Sequence, residues 1–426
     1  MKINIPETGQ RRVVIVGAGF GGLELAKRIA KYDLQVVLID KNNFHQFQPL
    51  YYQVATAGLE PSSIAFPLRK MFQSKRNVFI RVTEVQSIDY QGNKIHTDLG
   101  YCWYDYLVVA MGADTNYYGN QKIAQFAIPM KTVSEALYLR NSIFEDYEKA
   151  LTSNNEDEQQ SYTDIVIVGG GPTGVELAGA LAEMKKYILP KDYHELNNRT
   201  VDIYLIQSSD VLLKGMSEKA AQAAEGFLTT LNVIIKKNTR VTDYDGEVVT
   251  MNDGKTIHSK KVIWAAGIRG NALAGLPEGV VMKDGRIMCD NFNKINGLDN
   301  VFAIGDIAYM EEKEYKGHPQ VAQVAIQQAK QLAANFRNIL TNDPLEPFHY
   351  RDLGSMATIG RNHAVVDLPF IKFQGFFAWL VWLFVHLFSI IGIKNKLFIF
   401  LNWVWNYFTY DQSLRLIIKP RQKPLV

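Results

Sequence analysis

The chain has 426 residues, with 46 basic and 43 acidic side chains and a net charge of +3. That length allows two or three domains, and the near-neutral balance gives no case for a nucleic-acid partner, while the slight basic excess is compatible with an anionic membrane surface. Two cysteines, Cys102 and Cys289, lie far apart in the chain with no CxxC, which excludes a disulfide framework and fits a reducing compartment with each thiol as a small core residue.

Residues 1–10 are polar and hold no signal-peptide core, and Arg11-Arg12 reads as a solvated strand entrance. The organising stretch is Val13–Gly22, VVIVGAGFGG. A β-branched run enters Gly17, Gly19 and Gly22, and LELA follows: buried strand, glycine turn, helix. Such glycines make the turn, admit a pyrophosphate and let helix and strand pack closely, with the helix N-terminus facing the anion. A second strand, Gln35–Ile39, ends at Asp40, near the place after Gly22 where a ribose-binding acid is expected. Residues 41–57 form an aromatic, amide-rich loop and helix start, or a wall around a ring system. Strands are expected at Val78–Val85, Lys94–Thr97 and Leu107–Ala110, a connector at 116–134 and an amphipathic helix at Glu135–Leu151. The polar run 152–161 reads as a solvated loop.

The opening pattern then returns. IVIVGGGPTG (165–174) gives Gly169, Gly171 and Gly174 the same spacing as Gly17, Gly19 and Gly22. Val175–Met184 continues as helix, Val201–Ile206 ends at Gln207, and Lys261–Ala265 leads to Gly267 as Val108 leads to Gly112. This duplication implies two dinucleotide-binding domains, each a parallel sheet covered by helices. DNVFAIGDIA (299–308) reads as a strand, a glycine and Asp306 before a helical run. Val321–Asn335 is an amide-rich helix, and 351–367 gives a turn and two short strands.

The tail differs. Gly375–Ile393 runs without Asp, Glu, Lys or Arg; a basic break, Lys394-Asn395-Lys396, precedes an aromatic helix over Leu397–Tyr410. Four of the six tryptophans fall here. Length permits a spanning helix; polar and glycine interruptions favour an amphipathic membrane-surface anchor with its aromatic face in the headgroup region; a buried dimer or core helix is the third reading.

Together HQFQPLYYQVAT (45–56), GGGPTGVELAG (169–179), AIGDIA (303–308), AQVAIQQ (322–328) and GSMATIGRNHAVVD (354–367) resemble the type II NADH dehydrogenases, single-subunit NADH:quinone oxidoreductases. The resemblance implies an α/β fold of two Rossmann-like domains, like glutathione reductase, with a C-terminal helical membrane anchor. It divides the chain into an FAD-binding domain (1–115 and 286–370), an NAD(P)H-binding domain (116–285) and a membrane-association region (371–426). It implies non-covalent FAD, NADH as donor with NADPH as a second nucleotide, and membrane menaquinone or ubiquinone as acceptor, without proton pumping. It further implies a peripheral homodimer on lipid at the cytoplasmic face of the inner membrane.

By that resemblance Gly17, Gly19, Phe20, Gly21 and Gly22 cradle the FAD pyrophosphate and Asp40 its ribose, with Lys41, Val82, Asp306 and Ala325 completing the flavin contacts. Gly169, Gly171, Gly174, Gln207 and Gly267 hold the nucleotide. Glu176 lies where nicotinamide would stack on flavin, Gln323 at the quinone end of the tunnel, and Lys396, just before the last helix, near the flavin. Many NADH-preferring members carry an acid where Gln207 stands; a neutral amide does not repel a 2′-phosphate, so weak discrimination against NADPH is expected. The segment Lys185–Asn198 makes the register of Gln207 less secure. Sulfide:quinone oxidoreductase and a non-catalytic redox-sensing flavoprotein are the alternatives, the first needing cysteines placed to hold sulfur. A dithiol reductase is a further rival, but it needs closely spaced cysteines.

Overall fold

The computed structural model describes residues 1–196, 201–312, 315–412 and 414–418, so Asn198 and the end of the tail region lie outside the described residues. The chain divides into two compact units: Met1–Gln46, Phe66–Asp114 and Ile268–Asp352 in the first, and Phe47–Ala65, Thr115–Gly267 and the chain from Leu353 in the second.

The first unit is built on a five-stranded parallel sheet in the order Val301–Ala303, Tyr106–Val109, Arg12–Val16, Gln35–Asp40, Val78–Val82. Arg12–Val16 is buried along its whole length, as a central parallel strand requires. The chain leaves it first for one neighbour and later for the other, so the strand order reverses beside it and a crevice opens at the carboxyl ends. Helices Phe20–Ile29 and Ala322–Thr341 pack on each other. The second unit repeats the plan, in the order Ile128–Pro129, Val262–Trp264, Ile165–Val168, Ile203–Ile206, Ile234–Lys236, again parallel.

The expected domain boundaries at 285/286 and 370/371 fall instead at 267/268 and 352/353, and 47–65 belongs with the second unit. Leu273, Val280 and Ile287 share one apolar core with Val14, Val37 and Leu107, which ties 268–285 to the first unit. In the second, the three-stranded antiparallel sheet Ser355–Thr358, Ala364–Asp367, Lys372–Gln374 is fastened by Asp367, whose carboxylate accepts from Ser217 N (2.5 Å) and Ser217 Oγ (2.9 Å).

Several local expectations change. The connector 116–134 contains the helix Gln121–Phe126, capped by Asn120, and the short strand Ile128–Pro129. The supposed loop 152–161 is mostly helix Glu156–Thr163: the Asn155 side chain accepts from Asp157 N and Glu158 N, and three acids in the first turn favour the helix dipole. Asp306 lies in a 3-10 turn, Gly305–Ile307, followed by a strand rather than a helix. Arg12 is no solvated entrance. It is 1% exposed, donates to Gln35 Oε1 (2.5 Å) and stacks over Trp103 at 4.0 Å. Both cysteines are buried in the first core.

The tail folds as two helices, Phe376–Ser389 and Ile393–Thr409. The break is Ile390–Gly392, not Lys394–Lys396: Gly392 takes φ +86°, and both lysines sit in the second helix. No helix among the described residues is long and apolar enough to cross a membrane, against the spanning reading. Phe377, Leu380, Phe384 and Phe388 form one exposed stripe at helical spacing, and Leu397, Leu401, Val404 and Phe408 another.

Candidate functional site

In the first unit Gly17 has φ +101°, and a Cβ on it would overlap the Ala110 carbonyl; one on Gly22 would overlap the Gly17 carbonyl. Gly21 lets helix Ala322–Thr341 approach, with Ala325 O 3.3 Å from where its Cβ would stand. At Gly19 that position meets nothing within 4 Å, so the turn is closed on its protein side and open at the crevice. Asp40 binds the turn to the next strand: Oδ2 accepts from Ala18 N and Oδ1 from Asn42 N, each at 2.7 Å. Burial raises its pKa, and the two N–H groups partly offset that. Val82 pairs in register with Asp40 and is 42% exposed, and Lys41 is exposed beside it. His45 donates from Nδ1 to Ala18 O (2.9 Å), with Phe20 edge-on at 5.3 Å, and burial holds it neutral, with its pKa down to about 4. Gly305 N donates to Gln328 Oε1 (2.7 Å), which fixes the turn bearing Asp306, while Ala325 Cβ fills the space beside Gly305.

The second cradle copies the first. Gly169 (φ +114°) backs onto Ala265, Gly174 onto the Gly169 carbonyl, and Gly171 faces open space. Gln207 stands where Asp40 stands, accepting through Oε1 from Gly170 N (2.8 Å) and donating from Nε2 to Ser209 Oγ (2.6 Å). A side chain at Gly267 (φ +117°) would meet the Tyr118 hydroxyl, which donates to Ala266 O.

Glu176, in helix Pro172–Tyr187, is buried, with 8% of its surface exposed. Thr358 N donates to its Oε1 at 3.4 Å. Trp382, 1% exposed, faces it from the tail; its Nε1 makes no ordinary hydrogen bond but steadies the charged carboxylate. Burial outweighs both and lifts the Glu176 pKa to about 8. Tyr52 meets Trp382 edge-on at 6.2 Å and accepts from Gln53 Nε2 (2.7 Å), while Gln53 Oε1 accepts from Trp403 Nε1 (2.7 Å). His386 stacks on Trp382 at 3.8 Å, donates to its carbonyl and is kept neutral by burial. The result is a buried, largely aromatic surround in which Glu176 keeps its proton at neutral pH.

The pyridine nucleotide-disulphide oxidoreductase family matches residues 11–329, and the NDH2 C-terminal domain family matches 353–410. Over 409 residues the chain is 37% identical to the type II NADH:quinone oxidoreductase Ndh of Mycobacterium tuberculosis, covering 92% of this chain and 87% of that one. The chain belongs to the type II NADH:quinone oxidoreductases. The Staphylococcus aureus type II NADH:quinone oxidoreductase is 29% identical over 378 residues, covering 85% and 90%. In fold, this NADH:quinone oxidoreductase matches NDH2 of Plasmodium falciparum in complex with NADH, at TM-score 0.88 and 21% identity over 96% and 100% of the two chains. It also matches the sulfide:quinone oxidoreductase of Aquifex aeolicus, at 0.73 and 20% over 91% and 92%. At these identities both likenesses speak for the fold alone.

The cradles fit the family's FAD and NADH, because Gly19 and Gly171 leave room where a pyrophosphate approaches and Asp40 keeps acceptor sites for ribose hydroxyls. Gln323, half-buried in the first turn of its helix, lies 3.5 Å from Asp352 Oδ1. Lys396 lies within the last helix, not before it, and its ammonium donates to Phe388 O (2.8 Å), satisfying a carbonyl at the end of the preceding helix. Sequence reasoning missed Trp382, Thr358, Gln53 and Gln328. The tail tryptophans were expected at a lipid surface, and only burial separates the inward Trp382 from Trp405, which is 59% exposed.

Proposed function

We propose that this NADH:quinone oxidoreductase holds FAD on the Gly17–Gly22 turn and NADH on the Gly169–Gly174 turn, with Glu176 as proton donor for quinone reduction. The carrying observation is the duplicated cradle, each glycine turn pinned by the residue ending the next strand. When bound, FAD supplies the hydride-accepting and electron-donating chemistry. Converting quinone to quinol with the hydride of NADH takes up one further proton, which is the proton Glu176 is placed to give. Glu176 keeps its proton at neutral pH because burial disfavours the carboxylate, with Thr358 N and Trp382 beside it. Gln323 supplies an amide donor for a quinone carbonyl. Replacing Gln323 by Ala therefore slows the quinone half-reaction and spares the NADH half-reaction in single-turnover mixing; equal loss in both rejects the assignment.

Gln207 brings no charge to the nucleotide's ribose. The ratio of kcat/KM for NADH over NADPH should stay below about a thousandfold, ~4 kcal/mol, and Gln207→Glu should raise it. A wild-type ratio above that limit contradicts this reading. The sulfide alternative loses support because Cys102 and Cys289 are buried in the core and burial raises both thiol pKa values. Turnover with NADH and none with sulfide is expected. The exposed apolar stripes of the tail support a peripheral enzyme on the membrane surface, and its two buried free thiols support the cytoplasmic face. The exposed tail also leaves apolar area for a homodimer.

A further inference from the structure

The hairpin joining strands Ala364–Asp367 and Lys372–Gln374 exposes its least polar residues. Its tip is Leu368-Pro369-Phe370-Ile371, closed by Leu368 N donating to Ile371 O at 2.9 Å. Phe370 is 97% exposed and Ile371 58%. The base is firmly held: Asp367 is bound by Ser217, and Gly354, at φ +93°, packs against the Asp367 carbonyl and Leu368. The tip is thus an apolar projection on an anchored base. An apolar pair this exposed points to a binding surface where it joins further exposed apolar residues.

We propose that Phe370 and Ile371 form a wedge that inserts into an anionic bilayer, a third membrane contact besides the two tail helices. Two observations select lipid. First, the wedge continues the tail's apolar surface: strand Lys372–Gln374 runs through Gly375 straight into helix Phe376–Ser389, whose first residues, Phe376 and Phe377, are 45% and 75% exposed. Second, from Leu368 to Tyr410 there is no Asp or Glu, while Lys372, Lys394 and Lys396 are present. Lys372 is exposed at the foot of the wedge, where an ammonium meets headgroup phosphates as Phe370 passes below them. The wedge rests on the membrane-surface reading of the tail and adds an insertion point to it.

The test uses the full-length, FAD-loaded enzyme and vesicles of phosphatidylcholine with a minor fraction of anionic phosphatidylglycerol. Cys102 and Cys289 are buried, so a Phe370→Cys variant takes a polarity-sensitive label at the tip. Emission should shift to the blue on adding vesicles and be quenched by lipids brominated in the acyl chain. The double variant Phe370→Ser, Ile371→Ser should partition into vesicles about 10- to 100-fold less, with unchanged NADH turnover on a water-soluble acceptor as the folding control. A label that stays water-like on vesicle-bound enzyme, with undiminished partitioning of the double variant, overturns the wedge and leaves the tail anchor standing. Failure of the unmodified enzyme to bind vesicles overturns both. A blue shift that grows with protein concentration without lipid assigns the tip to a second copy of the chain and overturns the wedge.

Discussion

Replacing Gly19 by Ala should give a folded enzyme that no longer retains FAD, whereas Gly22→Ala should fail at the fold itself. The Gly19 backbone is extended, with φ −66° and ψ −164°, a conformation open to Ala. Its Cβ would meet no protein atom within 4 Å, so the methyl intrudes only where a pyrophosphate approaches. A Cβ on Gly22 would overlap the Gly17 carbonyl, a backbone atom that cannot swing aside. We expect Gly19→Ala to keep the melting temperature of the flavin-free protein and to lose FAD affinity by about 100-fold, ~2.8 kcal/mol. Gly22→Ala should lower the melting temperature with or without FAD. The second cradle allows the matching experiment, since Gly171 also faces open space. Gly171→Ala should bind FAD normally and weaken only NADH. Calorimetry and flavin absorbance check all three, and normal FAD retention by Gly19→Ala would contradict the assignment.

Glu176→Gln should leave the NADH half-reaction within about twofold and slow the quinone half-reaction by about 100-fold, the usual scale for losing a positioned general acid. With its pKa near 8, Glu176 is mostly protonated at neutral pH. Wild-type quinone reduction should therefore fall as pH rises through about 8, and the variant should show no such step. The substitution also changes stability. Above the ordinary carboxyl pKa of 4.5 the unfolded chain has lost this proton, while the folded chain keeps it to about 8. Wild-type stability therefore declines with rising pH across that window, by at most about 1.4 kcal/mol per unit. The variant lacks this slope and should gain on wild type toward pH 9 in denaturant titrations. A quinone half-reaction unchanged by Glu176→Gln would remove the residue from proton transfer.

What could be read from the sequence follows how locally each feature is determined. The glycine turns are written in consecutive residues, so the cradles, their repeat and the strands entering them were legible, and Gln207 fell at the strand end despite the uncertain register. Helix Glu156–Thr163 is hidden in a polar run without an apolar period; its signal is Asn155 with three acids behind it. The tail break is not where the hydropathy falls: Lys394 and Lys396 interrupt the apolar run, while the backbone turns at Gly392. The setting of Glu176 was the least legible part. Its enclosure comes from Thr358 and Trp382, both far downstream, and from Tyr52, far upstream. No local pattern announces a surround assembled from three distant segments.

The most direct measurement is anaerobic sequential-mixing stopped flow on the purified enzyme, with NADH first and a menaquinone or ubiquinone analogue second. The flavin absorbance should bleach on the first mix and return on the second, at rates that account for steady-state turnover. A colourless protein that does not take up FAD, or one that NADH bleaches and no quinone restores, would contradict the account.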